Sequence, residues 1–377
     1  MNRRILVEDN IGETRAAVVE NGRVVELWLD RWSEMGRRVV EGEIYRGRVR
    51  RIEPALNAAF VDLGTGPEGF LPFGKSGRPK GLHEGAAIGV RIAREAYAEK
   101  GPNLALVEVE DGEAPECLEP ALILAQRLVK AFGEAEAVWA DETDFDLEAE
   151  FDAALDPKVP VPGGGSLYIE TTRAMTTVDI DADGRKGTGS PAQLAAALNA
   201  SAAKEAARQI RLRGLGGIIA IDFVHMRAQP DRKAVEQALR GAFKRDRAKV
   251  DVAPLSQFGV GELARQRRGR ALREILCDAD GRLSVESCAL MALRRLQAEA
   301  MSDRSRKQRL EVSPDVFDWL EADTIDWRPA LADRIGPRFE LARNDSLARD
   351  AVRAAARRSS VWVHPHGVPL LPLLQFL

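Results

Sequence analysis

Two short runs of this sequence end in carboxylates and could hold a divalent cation. In Thr176-Thr177-Val178-Asp179-Ile180-Asp181, the residues Thr177, Asp179 and Asp181 fall at alternate positions. In an extended chain they share one face, while Val178 and Ile180 share the other. In Gly216-Gly217-Ile218-Ile219-Ala220-Ile221 a glycine turn leads into an apolar run, and Asp222 stands where that run gives out. That pattern is expected of a strand buried on both faces of a mixed or parallel sheet. Between the two runs, Ser190 as N-cap, Pro191 in the first turn and arginines toward the end predict a helix reaching Leu212. A strand, helix, strand crossover sets the two strands parallel and adjacent. It gathers Asp179, Asp181 and Asp222 at the carboxyl edge of the sheet, where open sheets bind ligands. Clustered hard oxygen donors suit Mg2+, with Mn2+ as a substitute.

The elements around these residues can be read from length and charge. A chain of 377 residues is too long for one small core and implies several domains. No apolar run reaches the length of a membrane span, and the first residues turn acidic too early for a signal peptide, so a cytoplasmic protein is expected. Three cysteines, Cys117, Cys277 and Cys288, give no disulfide framework and read as buried thiols. The net charge of -3 hides a segregation: residues 108–156 carry sixteen acids against Arg127 and Lys130, whereas residues 204–273 carry seventeen bases against seven acids. The second region contains Asp222. A basic field around a carboxylate pair suits a polyanion whose phosphate must meet a metal. The plain alternative is helix faces solvated by arginine.

The amino-terminal half predicts strands at Arg4 to Glu8, Arg15 to Val19 and Arg23 to Leu29, with a hairpin at Asn21-Gly22. From Gly42 onward, close-set strands at Glu43 to Ile52, Asn57 to Leu63, Glu68 to Leu71 and Ala87 to Arg94 carry the signature of a small barrel. Arg46, Arg48 and Arg50 alternate and so share a face, and Phe60 and Phe70 come from the next two strands. Cations that track phosphates beside rings on which bases stack are what an OB-type barrel needs to bind single-stranded nucleic acid. Each phenylalanine taken alone reads equally as core.

Several blocks in order resemble the ribonuclease E and ribonuclease G family. They are Gly42-Glu43-Ile44-Tyr45-Arg46-Gly47-Arg48-Val49-Arg50-Arg51-Ile52-Glu53-Pro54, Asn57-Ala58-Ala59-Phe60-Val61-Asp62 and Gly69-Phe70-Leu71-Pro72 in the first half. Gly164-Gly165-Ser166, Thr176 to Ile180, Ala207 to Arg213, Leu215 to Ile219 and Ile221-Asp222-Phe223 follow in the second. The resemblance implies an OB-fold RNA-binding barrel (37–103) inserted in a ribonuclease-H-like structural domain (1–36 and 104–160). A DNase I-like α/β catalytic domain (161–276) and a small C-terminal domain (277–377) would follow. It further implies an Mg2+-dependent endoribonuclease that cuts single-stranded RNA and leaves 5′-phosphate and 3′-hydroxyl ends. The family's catalytic aspartates fall on Asp179 and Asp222, its stacking positions on Phe60 and Phe70, and a backbone-contacting lysine on Lys100.

The sequence departs from the family at three points. An assisting asparagine is replaced by Asp181, a carboxylate that adds charge to the metal position. There is no room after the barrel for the insert that senses an RNA 5′-monophosphate, so that sensing is expected to be lost or much weakened. The family's Cys-x-x-Cys, which shares a zinc ion between two chains, is replaced by Cys277-Asp278-Ala279-Asp280-Gly281. A lone thiol cannot supply four zinc ligands even from two subunits, so no zinc is expected. A homodimer contact through the C-terminal domain is expected to do without it.

With no histidine in either motif, a water activated by the metal is the expected nucleophile, expelling the 3′-oxygen. His225 reads as structural. Arg240, Lys244, Arg245, Arg247 and the run Arg265 to Arg270 are candidate backbone anchors. Helices are predicted at Pro120 to Phe132, Leu147 to Ala154, Ser284 to Leu296 and Pro314 to Leu320, and the apolar tail 368–377 is expected to pack on protein. Two other readings use the same residues: an RNA-binding protein without catalysis, favoured by Asp181 and the missing sensor, and a nuclease acting on DNA.

Overall fold

The computed structural model describes residues 2–97, 100–133, 135–183 and 188–356; the tail 368–377 lies outside them. The chain divides into two compact units, Met1–Arg282 and Leu283–Leu377.

The first unit opens with an antiparallel meander, β1 (Arg3–Asn10), β2 (Glu13–Glu20) and β3 (Arg23–Arg31), its second turn made by Asn21-Gly22. The alternating Ile5, Val7, Ala16, Val18 and Val25 form one apolar face. Helix α1 (Leu124–Phe132) covers it with Leu124, Leu128 and Phe132. The strand that follows α1, β10 (Glu136–Trp139), runs parallel to β1 and completes the sheet. Thus one sheet takes its strands from both sides of the intervening barrel.

That barrel consists of β4 (Ile44–Glu53), β5 (Ala58–Asp62), β6 (Gly69–Pro72), β7 (Ala87–Arg94) and β8 (Asn103–Leu106). The pairing runs β5-β6-β8-β7-β4 and returns to β5, so five strands close on themselves around Tyr45, Val61, Leu71, Val90, Ile92 and Leu104. A sixth strand, β9 (Glu116–Glu119), adds to β4 from outside. Strands β8 and β9 carry the barrel sheet past residue 103, the expected boundary. Both are only four residues long and lie outside the run of longer strands, which is why the sequence pattern misses them. The turn into β8 is pinned by Gly101: a Cβ there would stand 1.8 Å from the Glu68 carbonyl oxygen. Only glycine allows this hairpin to lie against β6. Cys117, expected to be buried, is exposed on β9; Cys277 is half-buried and Cys288 buried.

The second sheet of this unit runs β11-β12-β13-β14-β16-β15. Its strands are β11 (Lys158–Pro160), β12 (Ser166–Thr171), β13 (Thr176–Asp181), β14 (Gly217–Asp222), β15 (Val250–Val252) and β16 (Val260–Arg265). Only β13 and β14 are parallel; the other pairs are antiparallel. Helix α3 (Pro191–Leu212) supplies the crossover, capped by a reciprocal Ser190 and Gln193 box with Pro191 in its first turn. Together with α4 (Gln229–Ala242) it buries one face of the sheet, where Val178, Ile180, Ile219, Ile221 and Leu263 meet Leu198, Ala202, Val235 and Leu239. The opposite face stays open. Strand β14 is therefore buried on one face only, against expectation: Ile218 is 55 % exposed and Ala220 half-buried. A continuous apolar run does not reveal how many faces are covered. Helices α2 (Leu147–Leu155) and α5 (Leu272–Leu276) complete the unit.

Helix α3 also packs on β3 through charge. Glu205, almost wholly buried, accepts hydrogen bonds from Arg208, Gln209 and Arg23, and Arg211 pairs with Glu26 and Glu20. This network joins the helix behind the carboxylate strands to the amino-terminal sheet.

The second unit is built on α6 (Val285–Ser302), α7 (Pro314–Glu321) and α8 (Trp327–Ile335). They accompany a sheet of order β18-β17-β19, with β17 (Gln308–Val312), β18 (Phe339–Arg343) and β19 (Arg353–Ala356). Among the described residues no helix is long and apolar enough to cross a membrane.

Candidate active site

In the parallel register of β13 and β14, Asp179 and Asp222 are direct Cα partners. Their strands lie about 4.8 Å apart, and both residues project on the open face, exposed. Their neighbours in sequence, Val178 and Ile221, point the other way into the helix-backed core. The exit of β14 is held from behind by Asn199, a fully buried residue of α3. Its side chain accepts from the Val224 N–H at 3.1 Å and donates to the Val224 carbonyl at 2.7 Å. The sequence reading missed Asn199. The one available signal was a polar residue on the apolar side of an amphipathic helix.

Asp181 shares the face of Asp179 one pleat farther on, opposite Ser166 rather than opposite β14. One of its carboxylate oxygens accepts the Asp183 N–H at 2.9 Å. Asp183 in turn accepts from the Ser166 hydroxyl at 2.6 Å and from Lys158 at 3.0 Å. The Ser166 bond, then that of Lys158, holds its carboxyl below the usual carboxylate range. Lys158 also lies over the Tyr168 ring, 5.2 Å from its centre, and Tyr168 is the Cα partner of Asp179 on the side away from Asp222. These flanking residues carried no motif of their own in the sequence.

The register therefore brings two of the three expected carboxylates side by side and sets the third at the margin. Among the described residues no group of three or more His, Cys, Asp or Glu side chains is arranged to hold a metal. A pair of exposed carboxylates is still the donor set Mg2+ takes: one or two carboxylates, with waters and substrate phosphates completing the shell. His225 is exposed three residues beyond Asp222.

On the barrel, Phe60 and Phe70 are cross-strand partners whose rings meet edge to face at 5.7 Å, both half-buried. A β-bulge between Val49 and Arg51 turns Arg51 onto them, and its guanidinium stands 4.5 Å from the Phe60 ring centre. Arg51 thus joins the aromatic platform, an assignment that alternation along a regular strand could not reveal. The three alternating arginines of β4 are all engaged within the chain. Arg46 is buried and spends its donors on the Glu110 and Glu113 carbonyls and the Glu116 carboxylate. Arg48 donates to the Ala114 and Gly85 carbonyls, and exposed Arg50 pairs with Asp62. The acidic loop 110–116 wraps over the first two arginines, so they hold the barrel together rather than face solvent.

Were single-stranded RNA to stack on this platform, Phe60→Ala would weaken its binding by about 1–3 kcal/mol, read by fluorescence anisotropy, with the fold intact. Arg46→Ala is expected to lower barrel stability and leave binding by the folded protein unchanged. Unchanged binding by Phe60→Ala would assign that ring to packing alone.

Lys100 is exposed and closes a one-pair bridge with Tyr97 at the tip of the β7–β8 connection. It lines a cleft of about 700 Å³ with Arg94, Tyr97, Arg173, Gly217 and Arg267. Arg267 stacks on Tyr97 at 4.3 Å. The cleft opens at the start of β14, roughly 17 Å along the strand from Asp222 at ordinary strand rise, so it links the barrel to the open face. Of the other expected anchors, Arg265 is buried against Asp246, Arg268 pairs with Glu41, Arg270 with Glu34 and Arg240 with Glu236. Lys244 and Arg245 are exposed, and Arg247 lies between aromatic rings.

A model of the ribonuclease E/G family matches residues 75–268, just over half of the chain. Ribonuclease E of Escherichia coli (strain K12) is 26% identical over 454 aligned residues, covering 85% of this chain and 42% of its own length. Ribonuclease E of Haemophilus influenzae is 25% identical, covering 85% of this chain and 48% of its own length. Ribonuclease G of Escherichia coli (strain K12) is 26% identical, covering 74% of this chain and 82% of its own length. The chain thus spans less than half the length of these two ribonuclease E relatives.

Proposed function

Because the chain belongs to the ribonuclease E/G family, we propose that it is an endoribonuclease of RNA processing or decay, dependent on Mg2+ and acting on single-stranded RNA in the cytoplasm. The observation that carries this reading is the pairing of Asp179 with Asp222, in register on the one open face of the catalytic sheet. In this reading the amino-terminal sheet is ribonuclease-H-like, the barrel an OB fold and the second sheet DNase I-like, and the second unit carries a homodimer contact.

Asp179 and Asp222 would hold the cation, which when bound supplies Lewis-acid polarisation of the scissile phosphate and an acidified water. The protein's own groups do the rest. Phe60, Phe70 and Arg51 stack bases and fix the register of the strand. Lys100, Arg173 and Arg267 attract phosphates and lead the backbone along the open face toward the aspartates. Asn199 holds the exit of β14 so that Asp222 keeps its place beside Asp179. Lys158 over Tyr168 puts a cation at the flank of the pair, where it can meet the next phosphate. Cleavage of the bond to the 3′-oxygen leaves 5′-phosphate and 3′-hydroxyl ends. Asp181 acts as an outer neighbour, and 5′-end sensing is lost or much weakened, so 5′-monophosphate and 5′-hydroxyl RNAs should be cut at comparable rates.

Incubation with a single-stranded RNA and a DNA of matched sequence, in Mg2+ or EDTA, tests this. Cleavage of RNA alone, abolished by EDTA, is the expected result. RNA that is bound but uncut in both Mg2+ and Mn2+ would instead support the reading as a silent RNA-binding protein, which the carboxylate at Asp181 favours. Equal cleavage of DNA would overturn the substrate.

A further inference from the structure

A second cavity, of about 500 Å³, lies within the first unit away from both the aspartates and the aromatic platform, between β3, α1 and the basic stretch that follows β16. Its size is that of a small-ligand site. One wall is apolar and aromatic, with Trp28, Leu122 and Leu124; the facing wall is cationic. The carboxylates of the lining are mostly spoken for: Glu26, Asp30, Glu41 and Glu95 each pair with an arginine of the same lining. Three cations are left without a carboxylate partner among the described residues. Arg247 is held instead by the rings of Trp28, at 5.7 Å, and Phe132, at 4.9 Å, with no hydrogen bond from its guanidinium to another described residue. Arg213 donates to the Gln209 side chain and the Asp156 carbonyl, and Lys130 stands exposed at the rim. Against them only Glu119 remains, also exposed.

Burial, and then repulsion from Arg268, pushes the Arg247 pKa down; burial brings that of Arg213 to about 10. The nearby charges of Glu26, Glu41 and Asp246 on Arg247, and of Asp156 and Glu205 on Arg213, do not offset this burial, so both guanidiniums gain from an anion entering the cavity. A bare inorganic anion would leave most of the volume and the apolar wall unused.

We infer that this cavity binds a nucleoside 5′-phosphate, its phosphate on Arg247 and Lys130 and its base against the apolar wall of Trp28, Leu122 and Leu124. Such a site is separate from the proposed cleavage centre.

Isothermal titration of the full chain with adenosine 5′-monophosphate, adenosine and inorganic phosphate, without divalent metal, tests it. One equivalent of the nucleotide should bind, with adenosine and phosphate each at least about tenfold weaker. Arg247→Met and Lys130→Glu should each weaken the nucleotide at least about tenfold. A Phe60→Ala, Asp222→Ala double variant should bind as the parent does, which separates this cavity from the cleavage centre. Lys130 is exposed, so its variant keeps the test meaningful should Arg247→Met fail to fold. Absence of nucleotide binding at millimolar concentration, phosphate binding as tightly as the nucleotide, or undiminished binding by folded Arg247→Met and Lys130→Glu would overturn the assignment.

Discussion

Asp222→Ala, and separately Asp179→Ala, is expected to slow cleavage of single-stranded RNA on the order of 10³-fold or more under single-turnover conditions, with the double variant scarcely worse than either. The non-additivity follows from geometry: the two side chains are lateral neighbours on adjacent parallel strands, and in the proposed mechanism they would share one cation, so losing either would empty the same position. Asp181→Asn should cost far less, because that residue faces Ser166 beyond the paired end of β14 and already bonds the Asp183 N–H. RNA affinity measured in EDTA should stay near the parent value in all three, since the stacking platform is on the barrel. A single variant that cleaves like the parent would remove the pair from the mechanism.

Glu205→Ala is expected to lower stability by roughly 3 kcal/mol, seen as a fall in the urea midpoint. Its side chain is 1% exposed and serves Arg208, Gln209 and Arg23, so the variant leaves a partly buried arginine without its counter-charge. Glu236→Ala, which removes a more exposed helix pair with Arg240, should change stability by under about 0.5 kcal/mol. Burial alone would raise the Glu205 pKa, but the bonds from Arg208 and Gln209 and the charge of Arg23 outweigh it and hold the carboxyl below 4.5. For a depressed carboxyl the sign is fixed: the contribution is complete above the unfolded value and is lost as pH falls through the folded one. The parent should therefore lose more stability than Glu205→Ala on going from pH 5 to pH 3, and the two curves should converge in acid.

What could be read in advance follows from where the information lies. The alternation in Thr176 to Asp181 and the Ser190-Pro191 start of α3 are local, and each fixed its element; the crossover rule then made β13 and β14 parallel. The barrel's longer strands were legible for the same reason. Strands β8 and β9 were not, because four residues are too few for a clear pattern; β8 is recruited by the closing of the ring and β9 by pairing on β4 from outside. The arginine row failed in an instructive way. Its spacing is regular, but the bulge after Val49 turns Arg51 outward, and a loop more than sixty residues away closes over Arg46 and Arg48. Charge segregation was visible in the sequence, but not that the acidic stretch would serve the barrel's arginines. The arginines after β16 likewise find partners from the distant amino-terminal segment, Arg268 with Glu41 and Arg270 with Glu34. Such long-range pairs leave no periodic trace.

The central claim is that Asp179 and Asp222 together make a divalent-cation site. Titration with Mn2+ followed by electron paramagnetic resonance, with Mg2+ as competitor, tests it without reference to any substrate. The parent should bind one Mn2+ that Mg2+ displaces; Asp179→Asn and Asp222→Asn should each weaken that ion at least about tenfold, while Asp181→Asn retains it. Undiminished binding by both Asp179→Asn and Asp222→Asn would contradict the account.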